Sequence, residues 1–146
     1  TAKQVETALE MFKKKNIQTL VIDLRDNGGG YLTAATDILD LFFTSDEVIY
    51  QMKEKNSAAK KYYAESDKKY EFENGYILVN ENTASASELT AGALQSEKGY
   101  QLIGKTTYGK GSAQTQKTLS DGSVLKYTYA KWMIPNGTCI NGKGLT

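Results

Sequence analysis

The stretch TLVIDLRDNGGG, residues 19–30, indicates the fold class of this chain. Its first half, TLVIDL (residues 19–24), is a short continuous apolar run of the kind found in fully buried, often parallel strands. Its second half is a glycine-rich turn, and a helical pattern follows from about Leu32 to Phe43. A strand, a turn and a helix in this order predict an α/β architecture.

The same α/β pattern continues on both sides of this unit. An amphipathic helix is predicted before it, over Thr1 to Lys15, and another helix after it, from about Ala86 to Gln95. Two more buried strands are predicted at 76–80 and 100–104. More exposed strands are predicted at 48–54, near 61–64, at 112–119 and at 123–130, the last two joined by a turn at 120–122.

The organisation of the chain is that of one domain spanning residues 1–146, with no repeat, no internal linker and a single proline. The lysine-rich stretch 53–69 is interleaved with acidic residues, which predicts a solvated hairpin face rather than a binding patch. The pattern opens directly on a helix and stops without a closing element. We therefore expect the domain to be a piece of a longer protein.

Composition excludes several classes of function. Eighteen basic and 17 acidic residues leave a net charge of +1, so there is no global field to attract nucleic acid or anionic lipid. The absence of histidine excludes a Ser-His-Asp triad, a Cys-His pair and histidine-ligated metals. A single cysteine excludes an internal disulfide and a multi-cysteine zinc site. Hydrolytic chemistry in this chain needs a base other than histidine.

Three polar or glycine-rich segments follow the three predicted buried strands, at the ends where sites collect in open α/β sheets. The second of them, NENTASASE (residues 80–88), places Ser85 at the start of a helix. Ser85 and Glu88 fit a capping box, which explains the serine without any chemistry. A nucleophile is the alternative interpretation, since a developing negative charge is stabilised at a helix N-terminus.

The first and third segments also leave two interpretations open. GKTTYGKG (residues 104–111) matches the spacing of a phosphate-binding loop, but Gly111 stands where Ser or Thr should hold Mg²⁺ and no helix follows. Lys110 is then either an exposed loop lysine or a buried, neutral general base for a serine. The Gly29-Gly30 pair is either a plain turn or an oxyanion hole of backbone N–H groups.

In this order the three segments resemble the signatures of the carboxyl-terminal processing (tail-specific) peptidases, which are serine peptidases with a Ser/Lys dyad. The matching stretches are LVIDLRDNGGG (20–30), VNENTASASE (79–88) and GKTTYGKGSAQ (104–114). With the ending TYAKWMIPNGTCINGKGLT, the resemblance covers essentially all 146 residues. It implies a crotonase/ClpP-like α/β core of buried strands and helices with a small β-hairpin appendage.

The resemblance also implies a role for individual residues. Ser85, rather than Thr83 or Ser87, would be the nucleophile, and Lys110 the general base. Gln114 would orient the lysine through a hydrogen bond. The backbone N–H groups of Gly29 and Ala86 would hold the oxyanion.

The function implied is cleavage of flexible polypeptides near their C-termini, with no metal and no cofactor, outside the cytoplasm. Two departures from the family pattern stand out: Gly28 replaces the usual proline, and the PDZ domain typical of relatives is absent from these residues. Two other functions stay open. One is a non-catalytic peptide-binding core of the same fold, and the other is an acyl-CoA-handling enzyme on the related crotonase fold.

Overall fold

The computed structural model describes residues 1–67 and 70–146; Lys68 and Lys69, at the end of the predicted hairpin face, lie outside the described residues. The helices are α1 (Ala2–Lys14), α2 (Leu32–Leu39) and α3 (Ala86–Lys98). The strands are β1 (Thr19–Asp23), β2 (Val48–Glu54), β3 (Lys60–Tyr63), β4 (Asn74–Val79), β5 (Gln101–Gly104), β6 (Ser112–Thr118) and β7 (Val124–Met133). Within the described part of the chain, no helix is long and apolar enough to cross a bilayer.

The three apolar strands form a parallel sheet in the order β1-β4-β5, which confirms the predicted α/β class. The prediction that the first strand is fully buried is wrong. Leu20 is buried, but the neighbouring Val21 is 54% exposed, because β1 lies at the edge of the sheet. Because the three strands are parallel, their C-terminal ends lie at the same end of the sheet, and the loops that follow them lie side by side.

The antiparallel part of the molecule is larger than the small hairpin expected. β2 pairs with β3 on one side and with β7 on the other, so two hairpins join into one sheet of order β3-β2-β7-β6. The predicted turn at 120–122 connects β6 to β7, and it is closed by a hydrogen bond from the Leu119 N–H to the Ser123 carbonyl. The sequence did not indicate the β2–β7 pairing because its partners are distant in the chain.

Helix α3 lies at the centre of the fold. Its residues from Ser87 to Leu94 are all buried, as in a helix that is covered on every side. It packs against α2, β2 and β5, and Gly92 approaches the side chains of Ile134 and Leu145 so closely that a larger residue would not fit. The helix ends at Gly99, which takes the left-handed conformation typical of a C-cap.

Helix α2 is shorter than the sequence predicted, ending at Leu39 instead of near Phe43. After Leu39 the chain tightens, and the N–H of Phe42 bonds to the Leu39 carbonyl three residues back. This tighter turn directs Phe42 and Phe43 into the core, where they are 2% and 0% exposed. The hydrophobic core is continuous and contains residues of both sheets.

Candidate active site

Ser85 has an unusual backbone conformation. It lies between β4 and α3, with φ +58° and ψ −122°, in a region that costs a non-glycine residue about 1–3 kcal/mol. A sharp, strained turn between a strand and a helix is a typical position for a nucleophilic serine, and Ser85 is partly exposed there. The hydroxyl donates no hydrogen bond to any residue that the structure describes.

The neighbouring hydroxyls of Thr83 and Ser87 are buried, with 0% and 6% of each residue exposed. The Thr83 hydroxyl donates to the Leu24 carbonyl at 2.7 Å and accepts the Asn80 N–H at 3.0 Å. Its hydrogen bonds join the loops after β1 and β4 and support the turn at Ser85. The hydroxyl of Thr83 is therefore structural.

Glu88 is fully buried in the first turn of α3 and accepts four hydrogen bonds. One carboxylate oxygen accepts the Thr107 hydroxyl and the Gly109 N–H, each at 2.6 Å. The other accepts the Ser85 N–H at 2.9 Å and the Lys110 N–H at 2.8 Å. Glu88 thus joins the backbone of both candidate catalytic residues. The sequence indicated Glu88 only as the partner in a capping box, and that bond to the Ser85 N–H is present.

Gly29 lies directly against the nucleophile. A Cβ at this position would lie 2.6 Å from the Ala84 oxygen and 2.8 Å from the Ala86 nitrogen, and φ is +89°, so only glycine fits. The Ala86 N–H has no acceptor among the described residues, as expected for the first residue of a helix. The Gly29 N–H, by contrast, donates to the side-chain oxygen of Asn27 at 3.0 Å. Gly29 could serve an oxyanion only after Asn27 turns away.

Lys110 and Gln114 line the same cavity as Ser85, with a volume of about 430 Å³. Lys110 is half-buried and Gln114 is exposed. The Lys110 amine bonds to neither the Ser85 hydroxyl nor the Gln114 amide, nor to any other residue in the described ranges. The structure brings the three predicted residues to one cavity. The side chains of Ser85 and Lys110 do not form a hydrogen bond with each other. Catalytic hydrogen bonds in a site without substrate are often long and close only in the complex.

A second cavity of about 560 Å³ adjoins the first at Ala86 and Gly30. It lies between α1, β1 and α2, and its walls are mainly apolar, with side chains such as Leu9, Phe12 and Ile38. Gly30, Tyr31 and Ala86 line both cavities, which are therefore neighbours.

Charged side chains stiffen the loop that follows β1. The Asp23 carboxylate accepts two hydrogen bonds from the Arg25 side chain, at 3.0 and 2.7 Å, which lowers the pKa of Asp23 to about 2. Asp26 accepts the side-chain amides of Asn82 and Asn80, at 2.8 and 2.9 Å, and these bonds lower its pKa too. The loop after β1 is thereby tied to the loop that carries Ser85.

Ser85 on its strained turn and Lys110 lie in the same cavity, and the sequence contains no histidine. The chain belongs to peptidase family S41, whose profile matches residues 1–146. The similarity therefore extends over the parallel sheet, the antiparallel sheet and the site between them.

Named relatives agree with this assignment. The chain is 39% identical to carboxy-terminal processing protease CtpB of Bacillus subtilis (strain 168), over 99% of this chain and 30% of that protein. It is also 39% identical to CtpA of the same organism, over 99% and 31%. The solved structure of the photosystem II D1 C-terminal processing protease has a TM-score of 0.90 and 31% identity, over 99% of this chain and 37% of that chain. The chain spans about a third of the length of these relatives.

Proposed function

We propose that this chain forms the catalytic core of a serine peptidase that cuts flexible polypeptides near their C-termini, with Ser85 as nucleophile and Lys110 as general base. The observation that carries the proposal is the strained turn at Ser85, facing a cavity that also contains Lys110. Membership of peptidase family S41 supports a peptide bond as the target. The arrangement of two sheets around α3 supports a crotonase/ClpP-like core.

In the proposed reaction the amine of Lys110 takes the proton of the Ser85 hydroxyl as the serine oxygen attacks the scissile carbonyl. The N–H groups of Ala86 and Gly29 hold the oxyanion, once Asn27 has released Gly29. Lys110 then gives the proton to the leaving nitrogen, and an acyl-enzyme remains on Ser85. Water attacks this ester with Lys110 again as base, which frees the acid product and the serine. Gln114 orients the lysine.

The wider setting is also part of the proposal. Residues 1–146 would act as one domain of a longer, extracytoplasmic protein, in which a PDZ domain could present substrate tails. The substrates would be unstructured, because cavities of about 430 and 560 Å³ have room for an extended segment and not for a folded one.

The side chains of Ser85 and Lys110 do not form a hydrogen bond, and this favours a second candidate, a peptide-binding core without activity of its own. A fluorophosphonate probe separates the two candidates, because it reacts only with an activated serine. We expect one covalent adduct, located at Ser85 by peptide mass spectrometry, together with cleavage of an unstructured polypeptide. Peptide binding without an adduct would support the binding core.

Matched variants test the roles of the two residues. Ser85→Ala should abolish both the adduct and turnover, while Ser87→Ala, which alters a buried neighbour on the same helix, should keep both. Lys110→Met should also be inactive, yet its free energy of unfolding should change by less than about 0.5 kcal/mol, since the amine has no partner among the described residues. An active Lys110→Met protein would refute the dyad.

A further inference from the structure

The cavity at Ser85 carries more positive charge than the proposed dyad uses. Its lining includes Lys126 of β7 in addition to Lys110, and no aspartate or glutamate among the described residues that form its wall. Lys126 is exposed, and it has no ion-pair partner in the described part of the chain. A cation at the rim of a cleft without a compensating carboxylate favours an anionic ligand.

The pairing of β6 with β7 sets the position of Lys126. Gln114 pairs with Thr128, and Gln116 pairs with Lys126. Residues that pair across an antiparallel ladder point to the same face, so Gln114 and Lys126 are diagonal neighbours on one face. A bulge at Tyr129 shifts the register beside Gln114. Bulges commonly redirect side chains next to active sites.

The direction of the proposed reaction decides which part of a substrate meets Lys126, and this step rests on the proposed function. The amine that accepts the serine proton must later give it to the leaving nitrogen. Lys110 therefore lies beside the residues that follow the scissile bond. Gln114 and Lys126 line the same cavity as Lys110, whereas none of these three residues lines the apolar cavity.

We propose that Lys126 binds a carboxylate of the substrate on the C-terminal side of the scissile bond. The carboxylate belongs either to the chain terminus, when only a few residues follow the bond, or to an Asp or Glu side chain there. The cavity of about 430 Å³ holds a short peptide segment rather than a folded one. Lys126 is thus a specificity-determining residue of the core itself.

Binding measurements on this chain of 146 residues test the proposal without requiring turnover. The protein carries Ser85→Ala, and the probes are three peptides of one sequence. The first ends in a free carboxylate a few residues beyond the cleavage position, the second is amidated there, and the third is amidated but has an aspartate in the leaving segment. Dissociation constants are compared for three proteins: one that keeps Lys126, one with Lys126→Gln and one with Lys126→Arg. Lys117→Gln is the control, since Lys117 lies on the same hairpin but on the opposite face.

We expect amidation to weaken binding about fivefold when Lys126 is present, the effect of an exposed ion pair. The loss should disappear in Lys126→Gln, persist in Lys126→Arg and Lys117→Gln, and shrink as salt is added. In the wild-type enzyme the same preference should appear in KM rather than kcat, because the contact is equal in the ground state and the transition state. Rescue by the aspartate peptide identifies a side chain as a sufficient source of the carboxylate.

The proposal is overturned if amidation has no effect with Lys126 present, or if Lys126→Gln keeps the preference for the free acid. An equal loss in Lys117→Gln would overturn it as well, because it would reflect the net charge of the hairpin. Failure of the peptidase assignment is a separate result. It would appear as a wild-type protein that binds the peptides but cleaves none of them.

Discussion

The carboxylate of Glu88 connects the two candidate catalytic residues, Ser85 and Lys110. A carboxylate has two acceptor oxygens and no donor, which suits a site where four donors converge. The donors are the N–H groups of Ser85, Gly109 and Lys110 and the hydroxyl of Thr107. The negative charge near the first turn of α3 also interacts favourably with the helix dipole. Glu88 therefore holds the backbone N–H groups of both candidate catalytic residues in place.

We predict that Glu88→Gln lowers the free energy of unfolding by about 3 kcal/mol, because the amide would place its own donors against buried N–H groups. Denaturant midpoints of the variant and the wild type measure the loss. Glu97→Gln on the exposed side of the same helix is the control and should stay within about 0.5 kcal/mol of wild type. Equal stability of the two variants would show that the buried carboxylate is not needed.

The Lys98–Glu47 pair links secondary-structure elements, since it joins the end of α3 to the residue before β2. The Lys98 amine lies 2.5 Å from the Glu47 carboxylate and 4.4 Å from the centre of the Phe43 ring. Burial raises the pKa of Glu47, but the hydrogen bonds from Lys98 and Thr44 together outweigh it, so the pKa is lowered. The ionised form of Glu47 thus stabilises the folded state.

This pair should make stability depend on pH in acid. Glu47 contributes fully above its unfolded pKa of about 4.3, and the contribution is lost as pH falls through the lower folded value. We expect Glu47→Gln to cost about 1 kcal/mol at pH 7 and progressively less below pH about 4. Chemical unfolding of both proteins across this range measures the difference. Glu54→Gln, at the exposed end of β2, should show no such trend, and a pH-independent cost at Glu47 would contradict the charge-based explanation.

Thr107 connects the site to the rest of the molecule. Its hydroxyl donates to Glu88 and accepts the Leu145 N–H at 2.7 Å, while its own N–H donates to the Leu145 carbonyl at 3.0 Å. Leu145 in turn packs against α3 at Gly92. The central helix, the loop that carries Lys110 and the segment around Leu145 therefore share one buried hydrogen-bond network.

We predict that Thr107→Val destabilises the whole fold by about 2 kcal/mol, because it keeps the shape but leaves the buried Leu145 N–H without an acceptor. Thr106→Val, one residue earlier and exposed, should have little effect. The slope of the denaturant curve should stay unchanged in both variants if the network unfolds as part of one unit. A loss no larger than that of Thr106→Val would contradict this role.

Several features of the molecule could be predicted from local patterns in the chain. Apolar periodicity predicted the helices and strands, and the position of the polar segments after apolar strands predicted that Ser85, Lys110 and Gly29 would lie at one edge of the sheet. These features depend on the pattern of apolar and polar residues within short stretches of the chain. The roles of Ser85 and Lys110 themselves came from the resemblance and stay predictions.

The remaining features depend on contacts between segments that are far apart in the chain. The pairing of β2 with β7 depends on partners far apart in the chain, and so does the exposure of the edge strand β1. The convergence of four donors on Glu88, the bond from the Gly29 N–H to Asn27 and the place of Lys126 beside Gln114 have no local signature either. The physical reason is that burial and hydrogen-bond partners are set by segments that meet only when the chain folds.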